Sequence, residues 1–373
     1  MKPVLLVECL TEILGGQRVA LQIADVLKTE MPVVLACPGP GALSDAAESA
    51  GIEVRHCAAL GVGSPLKVLA GAREVGKLLA DVDPSLVYIN GMTGLPAVYL
   101  ANRRRNTPLV MHLHHLVKSP LHRGLLRFVH KRIQNSKAGG ASVSCSATVA
   151  EFCGWPMDQV TVIHNGVDVD RFCMPAASPA ALTRTDLGSN NERFLICFTG
   201  NIGGIKPHRL VIQAARIAAQ SLPQVQFVFA GQTMESGKQI VEEAKEVAEA
   251  VGIPDLFLWL GWRKDLEQIY PVCDLTILGH EEGFPLSGLE SVACGTALAL
   301  PDSGGGNELG ELLGIKERYS AGDAQSLALR IMDCARHHSG KPAIDLAKIV
   351  ESRFSTASFR QRILQLATCT TAR

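Results

Sequence analysis

The feature that most constrains the fold of this chain is an alternation of short apolar runs with longer amphipathic segments. Segments with a helical period, such as residues 16–28 and 64–80, separate runs of four to six apolar residues. Strands of a parallel sheet need crossover helices between them, so this order predicts a parallel sheet covered by helices. The predicted strands of the first half are residues 4–8, 33–37, 54–57, 86–90, 109–114, 141–146 and 160–164.

The alternation occurs a second time after an interruption. Residues 171–192 are polar with proline and alanine, which predicts a linker between domains. The fold class is therefore predicted to be α/β, with two Rossmann-like doubly wound domains that face each other across a cleft and bind ligand there. The predicted strands of the second half are residues 194–200, 225–230, 257–260, 275–278 and 297–300, and its helices include 207–220 and 234–250. The expected domains are 1–175 and 176–350, and residues 351–373 are expected to form a C-terminal helix that packs across the domains.

Composition excludes several classes of protein. The formal net charge of the 373 residues is zero, so nothing global indicates a nucleic-acid partner. The eleven cysteines include no Cys-x-x-Cys pair, which favours free thiols and a cytoplasmic location over a disulfide framework or zinc ribbon. The longest charge-free stretch, 84–102, is interrupted by polar and helix-breaking residues such as Asn90 and Gly91, and we predict strand, turn and helix instead of a membrane span.

The segment 282–295 carries the strongest functional signal. Glu282 and Glu290 have seven residues between them; Pro285 suits a first helical turn and Gly295 suits a helix end. Backbone N–H groups at the start of a helix favour an anion such as a diphosphate, and carboxylates accept hydrogen bonds from sugar hydroxyls. This combination indicates a nucleotide-sugar site, although two glutamates near a helix start are also common as capping residues.

The same segment resembles a known family. Gly-Phe-Pro after Glu282, and Ala-Cys-Gly after Glu290, are similar to the pattern of the family-4 retaining glycosyltransferases, which have the GT-B fold. Ser291 and Ala297 stand where the family usually has alanine and proline.

The resemblance implies roles for several residues of this segment. Glu290 would bind the ribose hydroxyls of the donor, and Glu282 would contact the hydroxyls of the donor sugar. The backbone of Phe284, Pro285 and Leu286 would lie along the sugar and the diphosphate, although Pro285 has no N–H to donate.

A second constellation is the loop 200–206, which ends a predicted strand and places Lys206 at the start of a helix. A lysine there opposes the helix dipole unless an anion lies between them; a solvated surface lysine is the alternative. The family has Gly-Arg-x-x-x-x-Lys-Gly here, so Lys206 matches the lysine that balances the donor diphosphate. Asn201 replaces the family's arginine and Pro207 its second glycine, so neutralisation is expected to depend on Lys206, on helix termini or on another cation such as Arg263.

The third constellation is Gly15 and Gly16, which follow the first strand. Glycines allow close backbone approach and positive φ, but ordinary strand–helix turns use them too. The family has a Gly-Gly loop here, in which Leu14 stands at the first family glycine. The resemblance places Gly15 and Gly16 among the donor-binding residues.

The fourth constellation is a group of histidines at the end of a predicted strand. His112 and His114 share one strand face and His115 lies on the other. A metal cluster is one interpretation, and a single functional histidine at the carboxyl end of the strand is the other. The family places a histidine at the position of His114, which would contact the donor sugar or the reacting centre, with His115 as the second choice.

Charge is distributed unevenly along the first half. No Asp or Glu occurs between Asp83 and Glu151, whereas residues 103–137 contain nine cations, with apolar residues among them. A solvated basic face, a site for an anionic acceptor, and peripheral docking on an anionic membrane surface are the three interpretations.

The resemblance as a whole implies a metal-independent, retaining hexosyltransferase with His114, Lys206 and Glu282 as catalytic residues. The nucleotide-sugar is a co-substrate and no further cofactor is expected; a UDP-sugar is the favoured donor, and the acceptor is a sugar, a lipid-linked molecule or a small molecule. The alternatives are a nucleotide-sugar epimerase on the same scaffold and a catalytically inactive nucleotide-sugar-binding protein, the latter favoured by Asn201 alone.

Overall fold

A computed structural model describes the chain as two compact units. The first consists of Met1–Gly166 together with Ala357–Arg373, and the second of Val167–Thr356. The boundary at Gly166 lies before the expected one at residue 175. The described residues are 1–61, 64–174, 182–204, 206–279, 282–337 and 344–371.

The first unit contains a parallel sheet of seven strands in the order β3-β2-β1-β4-β5-β6-β7. The strands are β1 Val4–Val7, β2 Val33–Cys37, β3 Glu53–His56, β4 Leu86–Asn90, β5 Leu109–Leu113, β6 Gly140–Ser144 and β7 Thr161–Val162. The helices between them are α1 Gly15–Leu27, α2 Ala42–Ser49, α3 Pro65–Val82, α4 Leu95–Asn102, α5 Pro120–Gln134 and α6 Ala147–Cys153, with a 3-10 turn at Met157–Gln159.

The second unit repeats this order in a five-stranded parallel sheet, β10-β9-β8-β11-β12. Its strands are β8 Phe194–Thr199, β9 Val225–Ala230, β10 Phe257–Gly261, β11 Leu275–Ile277 and β12 Ala297–Ala299. Its helices are α7 His208–Ser221, α8 Lys238–Ala250, α9 Leu266–Ile269, α10 Leu286–Ala293, α11 Gly304–Leu313, α12 Ala324–His337 and α13 Ile344–Phe354, with 3-10 turns at Thr185–Leu187, Glu235–Gly237 and Tyr270–Val272. A final helix, α14, spans Thr356–Thr371.

The covering helices explain why the central strands are buried along their whole length, including polar residues such as Asn90 and His112. Every residue of β1, β2, β4, β5, β8 and β9 is buried, because helices cover both faces of a doubly wound sheet. The chain turns back at the first strand of each unit, so β1 lies beside β4 and β8 lies beside β11. Ligands of such sheets bind at the carboxyl ends of the strands, next to this reversal. The predicted α/β class with two Rossmann-like domains is confirmed.

The prediction of one C-terminal helix is wrong in one respect. The predicted segment includes the end of α13, which belongs to the second unit, and α14, which belongs to the first. The backbone N–H of Val167 donates to the carbonyl of Phe354 (2.8 Å), and that of Thr356 donates to the carbonyl of Val167 (2.9 Å). Ser355 forms a parallel bridge with Val167 and so interrupts the helix between them. In the sequence, the helical period of apolar residues continues across Ser355, so periodicity predicted one helix.

The predicted linker is only partly covered by the structure, since residues 175–181 lie outside the described ones. Its later part belongs to the second unit: Leu187 is buried, and the guanidinium of Arg184 lies 2.5 Å from the Asp274 carboxylate.

The stretch 84–102 forms β4, a turn and α4, as predicted. Across the part of the chain that the structure covers, no helix has the length and apolar character that crossing a membrane requires.

Candidate functional site

Lys206 lies beside the carboxyl end of β8, just before α7. Gly200 follows β8 with φ of 135°, and the side chain of Lys206 runs across it; a Cβ on Gly200 would lie 2.6 Å from Lys206 Cδ. A larger residue at position 200 would therefore displace the lysine, and its backbone would be strained. The predicted position of Lys206 at a helix start is confirmed, with Pro207 as the residue that precedes α7.

Lys206 pairs with Glu282 across the reversal of strand order. Lys206 Nζ donates to Glu282 Oε1 over 3.1 Å, and the two side chains are 20% and 17% exposed. The backbone of Glu282 is held in turn, because Gly305 N–H at the start of α11 donates to its carbonyl over 2.9 Å. A Cβ on Gly305 would lie 2.0 Å from the carbonyl oxygen of Gly283, so this contact requires glycine.

Helix α10 connects the two glutamates. Pro285 precedes its first residue, Leu286, in an extended conformation, so the expectation that Pro285 lies within the first turn is wrong by one position. Gly295 follows the helix with φ of 83°, as predicted for a helix end. Phe284 is buried against Phe354, with 5.8 Å between the ring centroids, and this contact fixes the backbone that leads into α10.

Glu290 lies in the second turn of α10 and is 3% exposed. The hydroxyl of Tyr270 is 3.4 Å from Glu290 Oε2 and 3.2 Å from the hydroxyl of Thr199, the last residue of β8. Glu290 is thus linked through Tyr270 to Thr199, and the side chain of Lys206 runs across Gly200, the next residue of the chain. Sequence reasoning missed Tyr270; its signal is that the hydroxyl of a buried tyrosine usually needs a polar partner.

Asn201, which replaces the family's arginine, and Arg263, the alternative cation, are the other residues considered for the diphosphate. Asn201 is half-buried in the loop after β8, and its carbonyl accepts from Gly204 N–H (3.3 Å). Arg263 Nε donates to Asp265 Oδ1 over 2.8 Å, and the guanidinium lowers the pKa of that carboxyl. The charge of Arg263 is therefore already compensated within the protein.

In the first unit, three polar side chains meet at the carboxyl ends of adjacent strands. His114 follows β5 as predicted, and its Nε2 is 2.7 Å from the side-chain oxygen of Asn90, the last residue of β4. The Asn90 amide nitrogen donates to Glu8 Oε2 (2.7 Å) and to the carbonyl of Gly16 (3.0 Å). Glu8, directly after β1, was not predicted as a site residue, nor was Asn90. Their only sequence signal is a polar residue at the end of an apolar strand.

The histidine rings are arranged as the strand period predicted. His112 and His114 have ring centroids 4.1 Å apart, and the Tyr88 hydroxyl is 2.7 Å from His112 Nδ1. Burial, with a smaller effect of His115, lowers the pKa of His114 to about 3, so this ring is neutral near neutral pH. As for the metal interpretation, the described residues contain no group of three or more His, Cys, Asp or Glu side chains that could hold an ion.

Gly15 and Gly16 are the first two residues of α1, and neither has a positive φ. The conformational reason that the sequence suggested for them is therefore wrong. A Cβ on either glycine would meet no atom within 4 Å, which leaves the backbone at the start of α1 open to approach.

The basic stretch forms the surface around α4 and α5. A groove of about 340 Å³ lies between these helices, with the Arg132 guanidinium 5.3 Å from the centroid of the Phe128 ring. Phe128 and Leu121 are 48% and 80% exposed, respectively. The groove is lined by Pro96, Tyr99, Leu100, Arg103, Leu125, Phe128 and Arg132.

Two doubly wound domains with this strand order define the GT-B class of fold. Residues 13–171 match the model of Glycosyltransferase Family 4, and residues 181–334 match that of Glycosyl transferases group 1. Each half of the chain therefore matches a glycosyltransferase family model, and together the two matches support a group 1 glycosyltransferase with the GT-B fold.

The individual proteins that match this chain have low sequence identity to it or cover only part of it. The D-inositol 3-phosphate glycosyltransferase of Salinispora tropica is 32% identical over 160 residues, which are 40% of this chain and 33% of that protein. The chain spans about a third of the length of the curated relatives it matches. The crystal structure of HepE from Anabaena with UDP and glucose has a TM-score of 0.82 at 21% identity and covers 99% of this chain and 100% of its own. The HepE complex with UDP-glucose has a TM-score of 0.80 at 22% identity, with the same coverage.

Proposed function

We propose that the chain is a retaining, metal-independent hexosyltransferase that takes a sugar from a UDP-sugar. The observation that carries the proposal is the pairing of Lys206 with Glu282 beside the end of β8. Glu290 is linked to the same strand end through Tyr270 and Thr199. A cation and two carboxylates at a strand-order reversal suit a ligand with both a diphosphate and sugar hydroxyls. The bound UDP-glucose of HepE, a protein of the same fold, supports the choice of donor.

The proposed roles in the second unit follow from charge. Lys206 has three N–H donors, of which Glu282 takes one, so it can also donate to the diphosphate and stabilise the charge of the leaving group. Asn201 adds a neutral donor, and the backbone of Phe284, Pro285 and Leu286 lies along the sugar and diphosphate. Glu290 accepts from the ribose hydroxyls and Glu282 from those of the donor sugar.

In the proposed reaction the two glutamates hold the donor and do not act as an acid and nucleophile pair. The acceptor oxygen bonds to the anomeric carbon on the face from which the diphosphate departs, which retains the configuration. The acceptor proton passes to an oxygen of the leaving phosphate, so no protein base is required. The acceptor class stays as the sequence suggested: a sugar, a lipid-linked molecule or a small molecule.

The first unit contributes His114, with Gly15 and Gly16 as a backbone surface for the donor. His114 is neutral, so its proposed contact is a hydrogen bond with a sugar hydroxyl, not charge compensation. His115, which is exposed, is the second choice for the same contact.

A thermal-shift screen with UDP-, GDP- and ADP-sugars tests donor binding, because a ligand of the native state raises the melting temperature by mass action. We expect a shift with a UDP-sugar that is smaller in Lys206→Met and kept in Lys245→Met, where the lysine pairs with Glu242 on the exposed face of α8. No shift with any nucleotide-sugar would refute the proposal.

Turnover then separates the enzyme classes. Product analysis with a bound donor distinguishes transfer to an acceptor from epimerisation of the donor sugar. Donor binding with neither product would indicate the inactive binding protein. Activity that survives EDTA treatment would agree with metal independence, and its loss would contradict it.

The groove between α4 and α5 favours a second proposed function, peripheral docking on an anionic membrane. Exposed Phe128 and Leu121 can enter the headgroup boundary while Arg103 and Arg132 meet lipid phosphates. We expect co-sedimentation with vesicles that contain phosphatidylglycerol, weakened in Arg132→Glu but not in Arg216→Glu, which changes an exposed arginine of α7. Binding that does not depend on anionic lipid would contradict this role.

The free thiols of all eleven cysteines support a cytoplasmic location.

A further inference from the structure

Glu8, Asn90 and His114 form a chain of side-chain contacts at the carboxyl ends of β1, β4 and β5. We propose that Glu8 and Asn90 are positioning residues that hold His114 in one orientation and as one tautomer, with its proton on Nε2. These contacts are sufficient to support the positioning of His114. The role of that positioning in sugar transfer rests on the proposed function.

The orientation of the Asn90 amide follows from the chemistry of its neighbours. One end of the amide lies 2.7 Å from a carboxylate oxygen of Glu8 and 3.0 Å from the carbonyl of Gly16. Both of those atoms are acceptors, so the NH₂ group must face them. Glu8 is fixed in turn, because its other oxygen accepts from the backbone N–H of Cys9 over 2.7 Å. The amide oxygen of Asn90 is left pointing at His114.

This orientation determines the tautomer of His114. The Asn90 oxygen can only accept, and His114 Nε2 lies 2.7 Å from it, so Nε2 must carry the proton. A neutral imidazole has one N–H, and Nδ1 is therefore an acceptor. His114 Nδ1 is buried and has no hydrogen-bond partner in the described residues. As an acceptor it suits a hydroxyl of a ligand and cannot donate to a phosphate.

Burial keeps the ring neutral, since it lowers the pKa of His114, and His115, which follows it in the chain, adds a smaller effect in the same direction. The His112 ring of β5 lies beside it, tilted by 42°. The carboxylate of Glu8 lies beyond Asn90 and does not contact the ring. Glu8 thus orients the Asn90 amide, and the amide orients the His114 ring. A carboxylate in direct contact with the ring would instead raise the pKa of His114.

Imidazole ¹⁵N NMR of the full chain, labelled at histidine, tests the proposal without any substrate. The wild-type protein is expected to show His114 with a protonated Nε2 and an unprotonated Nδ1, unchanged from about pH 5 to about pH 8. Signals of the opposite tautomer, or a titration within this range, would overturn the proposal.

Two substitutions at Asn90 sharpen the test. Asn90→Asp has nearly the same shape but puts a carboxylate against Nε2, so His114 should now titrate within that pH range. Asn90→Leu removes the acceptor, so both tautomers of His114 should appear. Asn102→Asp is the matched control, because Asn102 is a buried asparagine that bonds the backbone of Thr107. A His114 signal that stays the same in both Asn90 variants would refute the positioning role.

The same variants separate this proposal from the proposed function. If His114 behaves as expected by NMR but the protein binds no nucleotide-sugar, the positioning role stands and the proposed function fails. If the enzyme transfers sugar, Asn90→Leu should lower kcat at least tenfold with little change in the affinity for UDP, because UDP lacks the sugar whose hydroxyl His114 meets. A loss confined to UDP affinity would contradict the link to the sugar.

Discussion

The pairing of Lys206 with Glu282 predicts that neutralising the glutamate tightens the binding of UDP. In the free protein Lys206 Nζ is 3.1 Å from Glu282 Oε1, and a diphosphate must share the same ammonium. Glu282→Gln keeps the shape of the side chain and an acceptor oxygen but removes the competing charge.

The magnitude follows from the burial of the pair. Exposed ion pairs contribute about 0.2–1 kcal/mol and hydrogen bonds to charged groups about 1.5–3 kcal/mol. Both side chains here are about a fifth exposed, which places the competition between these limits, at about 1–2 kcal/mol. UDP should therefore bind about 5- to 30-fold more tightly to the variant.

A UDP-sugar should behave differently from UDP. It also gains from the released Lys206, but its sugar hydroxyls lose a charged acceptor at Glu282, which costs about 1–1.5 kcal/mol. The two effects nearly cancel, so the ratio of the two dissociation constants changes although the affinity for the UDP-sugar does not.

Isothermal titration with UDP and with a UDP-sugar measures both constants. Glu243→Gln is the matched control, because Glu243 pairs with Arg209 over 2.8 Å on the surface and should leave both affinities unchanged. Weaker or unchanged binding of UDP by Glu282→Gln would refute the reasoning.

Three further outcomes test other parts of the site. Glu290→Ala should weaken donor binding by about 1.5–3 kcal/mol, and an unchanged affinity in titration calorimetry would contradict its role. Lys206→Ala should lower kcat more than donor affinity in steady-state kinetics, because the charge on the leaving group develops in the transition state; equal losses would indicate uniform binding. Gly305→Ala should destabilise the protein by about 1–3 kcal/mol, because its Cβ would lie 2.0 Å from the Gly283 carbonyl oxygen, whereas Gly76→Ala meets no atom within 4 Å. Calorimetric melting of the two variants should differ accordingly.

Much of the second-unit site could be predicted because its signals are local in sequence. A strand end, a glycine and a lysine at the next helix start lie within a few residues, and so do the glutamates of α10. The pairing of Lys206 with Glu282 could not be predicted from those signals, since it depends on β8 lying beside β11.

The Glu8–Asn90–His114 chain escaped prediction for the same physical reason. Its members are far apart in sequence and meet because β1, β4 and β5 are neighbours in the sheet. Alternation of strands and helices predicts that a parallel sheet forms but leaves the order of its strands open. Of the three residues, His114 alone stood out, because a histidine among neighbouring histidines is more conspicuous than one polar residue after an apolar run.

The return of α14 to the first unit has a consequence for synthesis of the chain. The whole second unit, about 190 residues, leaves the ribosome between residue 166 and α14. At about 5–20 residues per second, the first unit waits about 10–40 s for its last helix. Phe359, Ile363 and Leu366 of that helix are buried, so the apolar surface they cover stays exposed during this interval. Folding of the first unit during synthesis is therefore incomplete until α14 has been made.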